Sequence, residues 1–404
     1  MLQVWSCGHG PGNRHLRVFI IAGEQSGDKL GGALMAGLRR LRPDMNFDGV
    51  GGPLMQAQGL SSRFLMDELS VMGIAEVLPK YRHLKRRIAE TARAVIDTKP
   101  DVLITIDSPD FSLRVAKLVK QSSDIRCVHY VAPSVWAWRP KRAAKMAKVI
   151  DHVLALLPFE PPYMEAVGMD CDFVGHPVVA EPIVDADDAA AFRAKHGLTN
   201  ADPLLLVLPG SRKGEVSRLA SVLGQALQPI LAKHPKLKVV VPAAGPVAEL
   251  VTQETRNWPV VPLILDPSGR DLDAVMTEKR AAFAAADFAI AVSGTVALEL
   301  AAACTPMVSA YDLNWLSRII IKRMVKVDTG NLINLVSDTR HVPEFVGAEC
   351  RADLIAAGLE RLIENPQPQL DAMADTMAQL GQGGEDPGLR AARAVLARMP
   401  NALI

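Results

Sequence analysis

The fold is decided by Arg17-Val18-Phe19-Ile20-Ile21-Ala22-Gly23-Glu24-Gln25-Ser26-Gly27-Asp28. Val18 to Ile21 is apolar without alternation, the pattern of a strand covered on both faces. Gly23 breaks the run. Leu30, Leu34, Leu38 and Leu41 then recur at helical spacing until Pro43 stops them. The same grammar returns at residues 101–106, where an apolar strand ends in Asp107-Ser108-Pro109-Asp110 and a helix carries Leu113, Ala116, Leu118 and Val119. Residues 127–131 and 153–157 read as further strands. A second series opens near Pro203, with a strand at 204–208, a turn, and a helix to about Lys233. Strands at 237–241, 260–265 and 288–292 follow, the last passing through Ser293-Gly294-Thr295 into a helix at 296–303. Two series of strand-loop-helix units predict an α/β protein: two Rossmann-like parallel-sheet domains facing each other across a cleft.

The expected division is a flexible lead at 1–16, a first domain at 17–185, a second at 186–365 and a helical tail at 366–404. The polar stretch Glu181-Pro182-Ile183-Val184-Asp185-Ala186-Asp187-Asp188 is fit to be the hinge. The tail can pack back on a domain or make a homodimer by packing on another subunit.

A chain of 404 residues with 22% charged and 49% hydrophobic residues has room for two cores. Its formal net charge of +1 argues against duplex nucleic acid as a partner. Five scattered cysteines form neither a disulfide framework nor a Cys-x-x-Cys pair. No apolar run is long enough to span a bilayer, and the first ten residues lack a signal-peptide pattern, so a reduced, cytoplasmic protein is expected.

In an open parallel sheet, ligands collect off the carboxyl ends of the strands, so the loops after strands carry the chemistry. Pro209-Gly210-Ser211-Arg212 offers a close backbone approach, a hydroxyl and a guanidinium fork for phosphate. Its bland reading is a turn with Ser211 as N-cap. Ser293-Gly294-Thr295 is a second candidate phosphate turn, with Glu299 one turn further in for ribose hydroxyls. There the bland reading caps the helix with Thr295. Gly23 to Asp28 lacks dinucleotide spacing, and its two acids suit a sugar better than a phosphate. Asp28 is equally readable as the cap of a helix starting at Lys29. Asp110 reads as an N-cap, whereas Asp107, at a strand tip, has no routine duty and suits a general base toward a hydroxyl. The nine histidines never fall at metal-ligand spacing, so no metal or cofactor is expected. His176 reads as a buried histidine. Finally, the apolar stretch 69–78 precedes Lys80, Arg82, His83, Lys85, Arg86 and Arg87, an apolar lip with a basic rim that points to a membrane surface. Residues 319–327 repeat the theme; either segment alone reads better as a solvated helix face beside a core helix, and it is the two together that lean toward a membrane surface.

Read together, the loops resemble one family. Leu69-Ser70-Val71-Met72-Gly73-Ile74, Ile106-Asp107-Ser108-Pro109-Asp110-Phe111, Pro133-Ser134-Val135-Trp136-Ala137-Trp138-Arg139, Val174-Gly175-His176-Pro177 and Leu208-Pro209-Gly210-Ser211-Arg212 occur in an order similar to that of the lipid-A-disaccharide synthase family, from Val18 to about Leu335. The resemblance implies a GT-B glycosyltransferase that moves 2,3-diacylglucosamine from its UDP derivative to 2,3-diacylglucosamine 1-phosphate. It would work at the cytoplasmic face of the inner membrane. The first domain would then be the acceptor and membrane side and the second the donor side. The resemblance implies Asp107 and Glu24 as catalytic residues, either one the base. It implies Gly210, Ser211, Arg212, Ser293, Gly294, Thr295, Glu299 and Asn331 toward the UDP-sugar donor, and Ser26, Gly27 and Asp28 toward the acylated sugar-phosphate acceptor. Val71, Met72, Ile74, Val77, Leu78, Arg82, Lys85 and Arg86 would meet the membrane. Gly330 departs from the pattern, standing where the family usually has proline before its Asn-Leu.

Overall fold

The structure, a computed structural model, describes residues 15–69, 74–137, 141–199, 201–292, 294–312 and 327–399, with side chains in the helix beginning at Ile74 described from Arg82 onward. The chain divides into two compact units. Met1–Val135, Pro140–Pro177 and Glu385–Ile404 make the first, and Trp136–Arg139 with Val178–Gly384 the second.

In the first unit, β1 (Leu16–Ala22), β2 (Met45–Val50), β3 (Val102–Ile106), β4 (Arg126–Tyr130), β5 (His152–Ala155) and β6 (Asp170–Phe173) form one sheet. Its order is β2-β1-β3-β4-β5-β6, and every pairing is parallel. The helices are α1 (Gln25–Leu41), α2 (Pro53–Ala57), α3 (Ile74–Thr98), α4 (Pro109–Lys120), α5 (Lys141–Met146) and α6 (Pro161–Glu165). The uninterrupted apolar strand has its expected cause. Leu16, Val18, Ile20 and Ala22 enter the core under α1, while Phe19 and Ile21 enter the opposite core, under α3 and α4. A period-two side-chain alternation with apolar partners on both faces leaves no place for a polar residue.

The second unit repeats the plan. Here β7 (Leu204–Leu208), β8 (Lys238–Pro242), β9 (Leu263–Leu265), β10 (Phe288–Ala291), β11 (Met307–Tyr311) and β12 (Glu344–Val346) run in parallel in the order β12-β11-β10-β7-β8-β9. Its helices are α7 (Ala186–Lys195), α8 (Lys213–Lys233), α9 (Ala248–Glu254), α10 (Leu272–Ala285), α11 (Val296–Ala302), α12 (Leu332–Val336), α13 (Ala352–Glu364) and α14 (Gln367–Gln379). Trp258 locks the core by donating its indole N–H to Ala220 O at 2.8 Å, and Gly224 leaves the space its ring needs.

The division falls between Pro177 and Val178, ahead of the polar stretch expected as a hinge. Within that stretch Asp185 caps α7, its Oδ1 accepting from Asp187 N and Asp188 N at 2.9 Å. The helical tail is shared. α14 stays in the second unit, where Gln369 bonds both the N–H and the carbonyl of Met307. α15 (Pro387–Ala397) belongs to the first unit and packs on α1 at two glycines. A Cβ on Gly37 would lie 2.6 Å from Gly388 O, and one on Gly388 would lie 2.6 Å from Ala33 O. Strands β2, β6, β11 and β12 escape the apolar-run reading. β2 carries polar Asn46 and Asp48 because it is an edge strand, and β12 is three residues long.

Each sheet reverses its strand order once, and those points decide where the loops converge. In the first, the chain leaves β1 toward β2 and later returns on the other side as β3. In the second, β7 and β10 play the same parts. Ligands of open α/β sheets sit off the carboxyl ends of the strands flanking such a reversal. The four loops selected from the sequence are the four that follow β1, β3, β7 and β10.

Candidate functional site

At the first reversal the loops after β1 and β3 touch. A Cβ on Gly23 would come within 2.7 Å of Ser108 Oγ, so any larger residue would push the Ser108 side chain aside. Asp107 and Ser108 both adopt left-handed backbone, with φ of 48° and 43°. Two successive non-glycine residues in that region are strained, and they persist only where the surroundings hold them. Here Asp107 N donates to Tyr130 O at 3.0 Å and Ser112 Oγ donates to Asp107 O at 2.8 Å. Ser108, rather than Asp110, is the N-cap residue of α4, and its buried Oγ has no partner among the described residues.

Asp107 lines a cavity of about 200 Å³ whose wall also carries His129, Ser134 and Arg142. His129 Nδ1 shares a 2.8 Å hydrogen bond with Thr105 Oγ1, and burial pushes its imidazole down to about 4, so it is neutral at pH 7. Burial does the same to His176, also to about 4. Glu24 is half-buried at the N-cap position of α1, and Ser26 is exposed one residue into the helix. Gly27 packs α1 onto the strand ends, where a Cβ would sit 3.3 Å from Ala22 Cβ.

Asp28 has a different job from either expectation. α1 begins at Gln25, so Asp28 is not its cap. Its buried carboxylate reaches across to α2, accepting from Gly52 N at 2.9 Å, Leu54 N at 2.9 Å and Met55 N at 3.0 Å. It satisfies amides at the start of a neighbouring helix, and both oxygens are occupied.

The second reversal is built otherwise. Arg212, rather than Ser211, is the N-cap residue of α8, and Glu215 at the third helical position folds back to complete a capping box. Glu215 Oε2 accepts from Ser211 N at 3.1 Å and Arg212 N at 3.3 Å, and Oε1 accepts from Arg212 Nη1 at 2.9 Å. The amides expected to cradle a phosphate therefore already hold a carboxylate, one the sequence reading passed over. The signal for it was present: a carboxylate three residues after the cap. Gly210, at φ 114°, leaves room for it, since a Cβ there would meet Glu215 Oε2 at 2.7 Å. The Arg212 side chain is 66% exposed, so much of its guanidinium faces water.

Gly294 and exposed Thr295 lead into α11, with Thr295 as N-cap residue but without a side-chain capping bond. Ser293 lies outside the described residues. Glu299 is bonded by Lys279 Nζ at 2.5 Å, a partner the sequence reading did not find. Asn331 is fully buried. Its Oδ1 caps α12 by accepting from Ile333 N at 2.9 Å, and its Nδ2 has no partner among the described residues. The loop before it is fastened by Glu344, which accepts from Thr329 Oγ1 and, at 3.0 Å, from Gly330 N. That bond uses an N–H a proline at 330 would lack.

Val71 and Met72 lie outside the described residues, as do residues 319–326 of the second apolar-basic segment and the side chains of Ile74, Val77 and Leu78. The basic run after them divides by helix face. His83 and Arg87 turn inward onto Glu68, at 2.7 and 2.8 Å, and Arg87 stacks on Phe64. Arg82, Lys85 and Arg86 are exposed. No described helix is long and apolar enough to cross a membrane. Among the described residues, no group of three His, Cys, Asp or Glu side chains is placed to hold a metal ion.

Comparison with known proteins joins these loops to one family. The family described as Lipid-A-disaccharide synthetase matches residues 18–393. A lipid-A-disaccharide synthase of Ruegeria pomeroyi is 64% identical over 387 residues, covering 96% of each chain. That of Rhodospirillum centenum is 45% identical over 386 residues, covering 94% of each. Among solved structures, a UDP-GlcNAc 2-epimerase from Neisseria meningitidis bound to UDP-GlcNAc has the same fold at 12% identity, with a TM-score of 0.58 over 95% of this chain and 98% of that one.

Proposed function

The chain belongs to the lipid-A-disaccharide synthase family, and on that premise we propose how its residues divide the reaction. It is a glycosyltransferase. The bond made joins C1 of the donor's 2,3-diacylglucosamine to O6 of 2,3-diacylglucosamine 1-phosphate. The bond broken is that from C1 to the β-phosphate oxygen of UDP, which leaves with the electron pair. One displacement inverts the anomeric centre.

Two demands follow. The acceptor hydroxyl must lose its proton as the bond forms, and Asp107 receives it. The observation that carries this role is the pair of consecutive left-handed residues, Asp107 and Ser108, held at the end of β3 on the wall of a cavity. Such positioned proton transfer contributes about 10²–10⁴-fold. Glu24, on the loop that Gly23 lets pass beside Ser108, helps orient the acceptor.

The departing diphosphate must also be neutralised. Arg212 does this with the guanidinium N–H groups that Glu215 does not use, a planar fork suited to phosphate oxygens. Thr295, Gly294 and Ser293 border the nucleotide, Glu299 serves it through its pair with Lys279, and Asn331 sets the shape of the adjoining loop. Asp28 and Gly27 act by holding the acceptor loop, and exposed Ser26 is free to meet the sugar. No step calls on a metal ion, so turnover is expected to survive a chelator.

The acyl chains need a home while the headgroups react. Each CH₂ left in the bilayer is worth about 0.8 kcal/mol, so extracting a multiply acylated product would be very unfavourable. Docking at an anionic membrane through exposed Arg82, Lys85 and Arg86 beside the apolar stretch avoids that.

The test is synthesis itself. Purified protein given UDP-2,3-diacylglucosamine and 2,3-diacylglucosamine 1-phosphate should yield the disaccharide 1-phosphate and UDP in equal amounts, with EDTA present. UDP release without disaccharide, or an absolute need for added divalent metal, would contradict the reading.

A further inference from the structure

The cavity beside Asp107 is more richly equipped than a base alone requires. Arg142, in the first turn of α5, lines the same wall and is half-buried. Among the described residues it makes no hydrogen bond or ion pair. A guanidinium partly withdrawn from water without an acceptor is poised for an anion. Asp107 and Arg142 face one cavity yet do not pair with each other, which leaves room between them for a ligand with a hydroxyl at one end and an anion at the other. His129, kept neutral, adds no second cation, so among the described residues Arg142 is the only positive side chain on this wall.

We propose that this cavity seats the ring-oxygen edge of the acceptor sugar, with Arg142 pairing the 1-phosphate while Asp107 takes the proton of the 6-hydroxyl. The inference rests on the reading of the function given above and adds the residue that selects a phosphorylated acceptor. The chemistry of the sugar fits. Its ring oxygen is flanked by C1, which carries the phosphate, and by C5, which carries the hydroxymethyl group. The acylated positions 2 and 3 lie toward the opposite edge. A space of about 200 Å³ accommodates the polar edge of one hexose and leaves the acyl chains outside. Leu113 and Met146 give that space its apolar walls and lower its effective dielectric, which strengthens an arginine–phosphate pair.

The test compares two acceptors, 2,3-diacylglucosamine 1-phosphate and the same diacylglucosamine lacking phosphate, with UDP-2,3-diacylglucosamine as donor. Wild type should prefer the phosphorylated acceptor in kcat/KM by about 10–100-fold, the span expected for a charged hydrogen-bonded pair. Arg142→Gln should erase most of that preference while leaving the phosphate-free acceptor and the UDP affinity unchanged. Arg142→Lys should restore part of it. Because the readout is a ratio within one preparation, partial misfolding cancels. A wild type with no preference, or Arg142→Gln lowering both acceptors alike or neither, overturns the inference while the synthase reading stands. A wild type that makes no disaccharide from either acceptor overturns both.

Discussion

The two sheets reverse in the same way, yet the loops at their reversals are in opposite states. After β3 the backbone is strained and a cavity stands open beside Asp107. After β7 the amides of Ser211 and Arg212 are satisfied, because both donate to Glu215. In the proposed function the first loop meets a neutral hydroxyl that must be oriented before it reacts. The second presents an exposed cation, Arg212, beside amides already paired with a carboxylate of the chain itself. On the reading proposed above, one reversal serves chemistry and the other capture, and each can be disturbed separately.

Acidity should separate the units most strongly. Burial lowers His129 and His176 to about 4, and lowers His152 to about 4 in spite of Asp172 beside it. All three belong to the first unit. Against the burial that would raise it, Lys195 and Arg270 bring Glu278 of the second unit down to about 2. Above pH 6.5, the ordinary histidine value, the histidines are neutral folded and unfolded and take nothing from stability. As pH falls from there toward 4 the unfolded chain binds protons first, and the first unit loses about 1.4 kcal/mol per unit of pKa difference at each site. Glu278 begins to matter only below 4.5. Hydrogen exchange at pH 7 and pH 5 should therefore show protection falling in β3, β4 and β5 before β7 and β8. Equal loss in both units would erase the distinction.

Next in size, Arg212→Ala should lower kcat/KM for the donor by about 10–100-fold through lost phosphate contacts, with acceptor KM unchanged. If capture is the task of this loop, UDP affinity measured by calorimetry falls with it.

Most of the fold was legible because runs such as residues 18–21 and 204–208 are buried on both faces, which leaves a one-dimensional signature. The edge strands were not, since β2 and β12 carry the polar residues that solvent permits. The candidate loops were legible as loops. Their internal partners were not, because Asp28 meets amides 24 to 27 positions away and Lys279 finds Glu299 20 positions on. Arg142 was invisible for the same reason. Nothing near it in sequence announces that α5 and the end of β3 share a cavity. Glu215 is the exception, three residues from Arg212, and its spacing alone could have given the capping box.

Asp28→Ala strips three amides of their acceptor and should destabilise the first unit by about 1–3 kcal/mol. Thermal unfolding checks it, and a variant that keeps full stability but loses acceptor affinity would make Asp28 a ligand group after all. The smallest expected change is at Gly330→Pro, which deletes the bond to Glu344, about 1 kcal/mol, and regains part through reduced chain entropy. A net rise in melting temperature would show that Glu344 does not need that N–H.

The division between chemistry and capture is tested most directly by Asp107→Asn, with turnover and UDP affinity measured on the same preparation. The side chain keeps its shape and loses its basicity, so kcat should drop about 10²–10⁴-fold while the dissociation constant for UDP stays at the wild-type value. Turnover that survives the substitution, or UDP affinity that disappears along with it, would contradict the account.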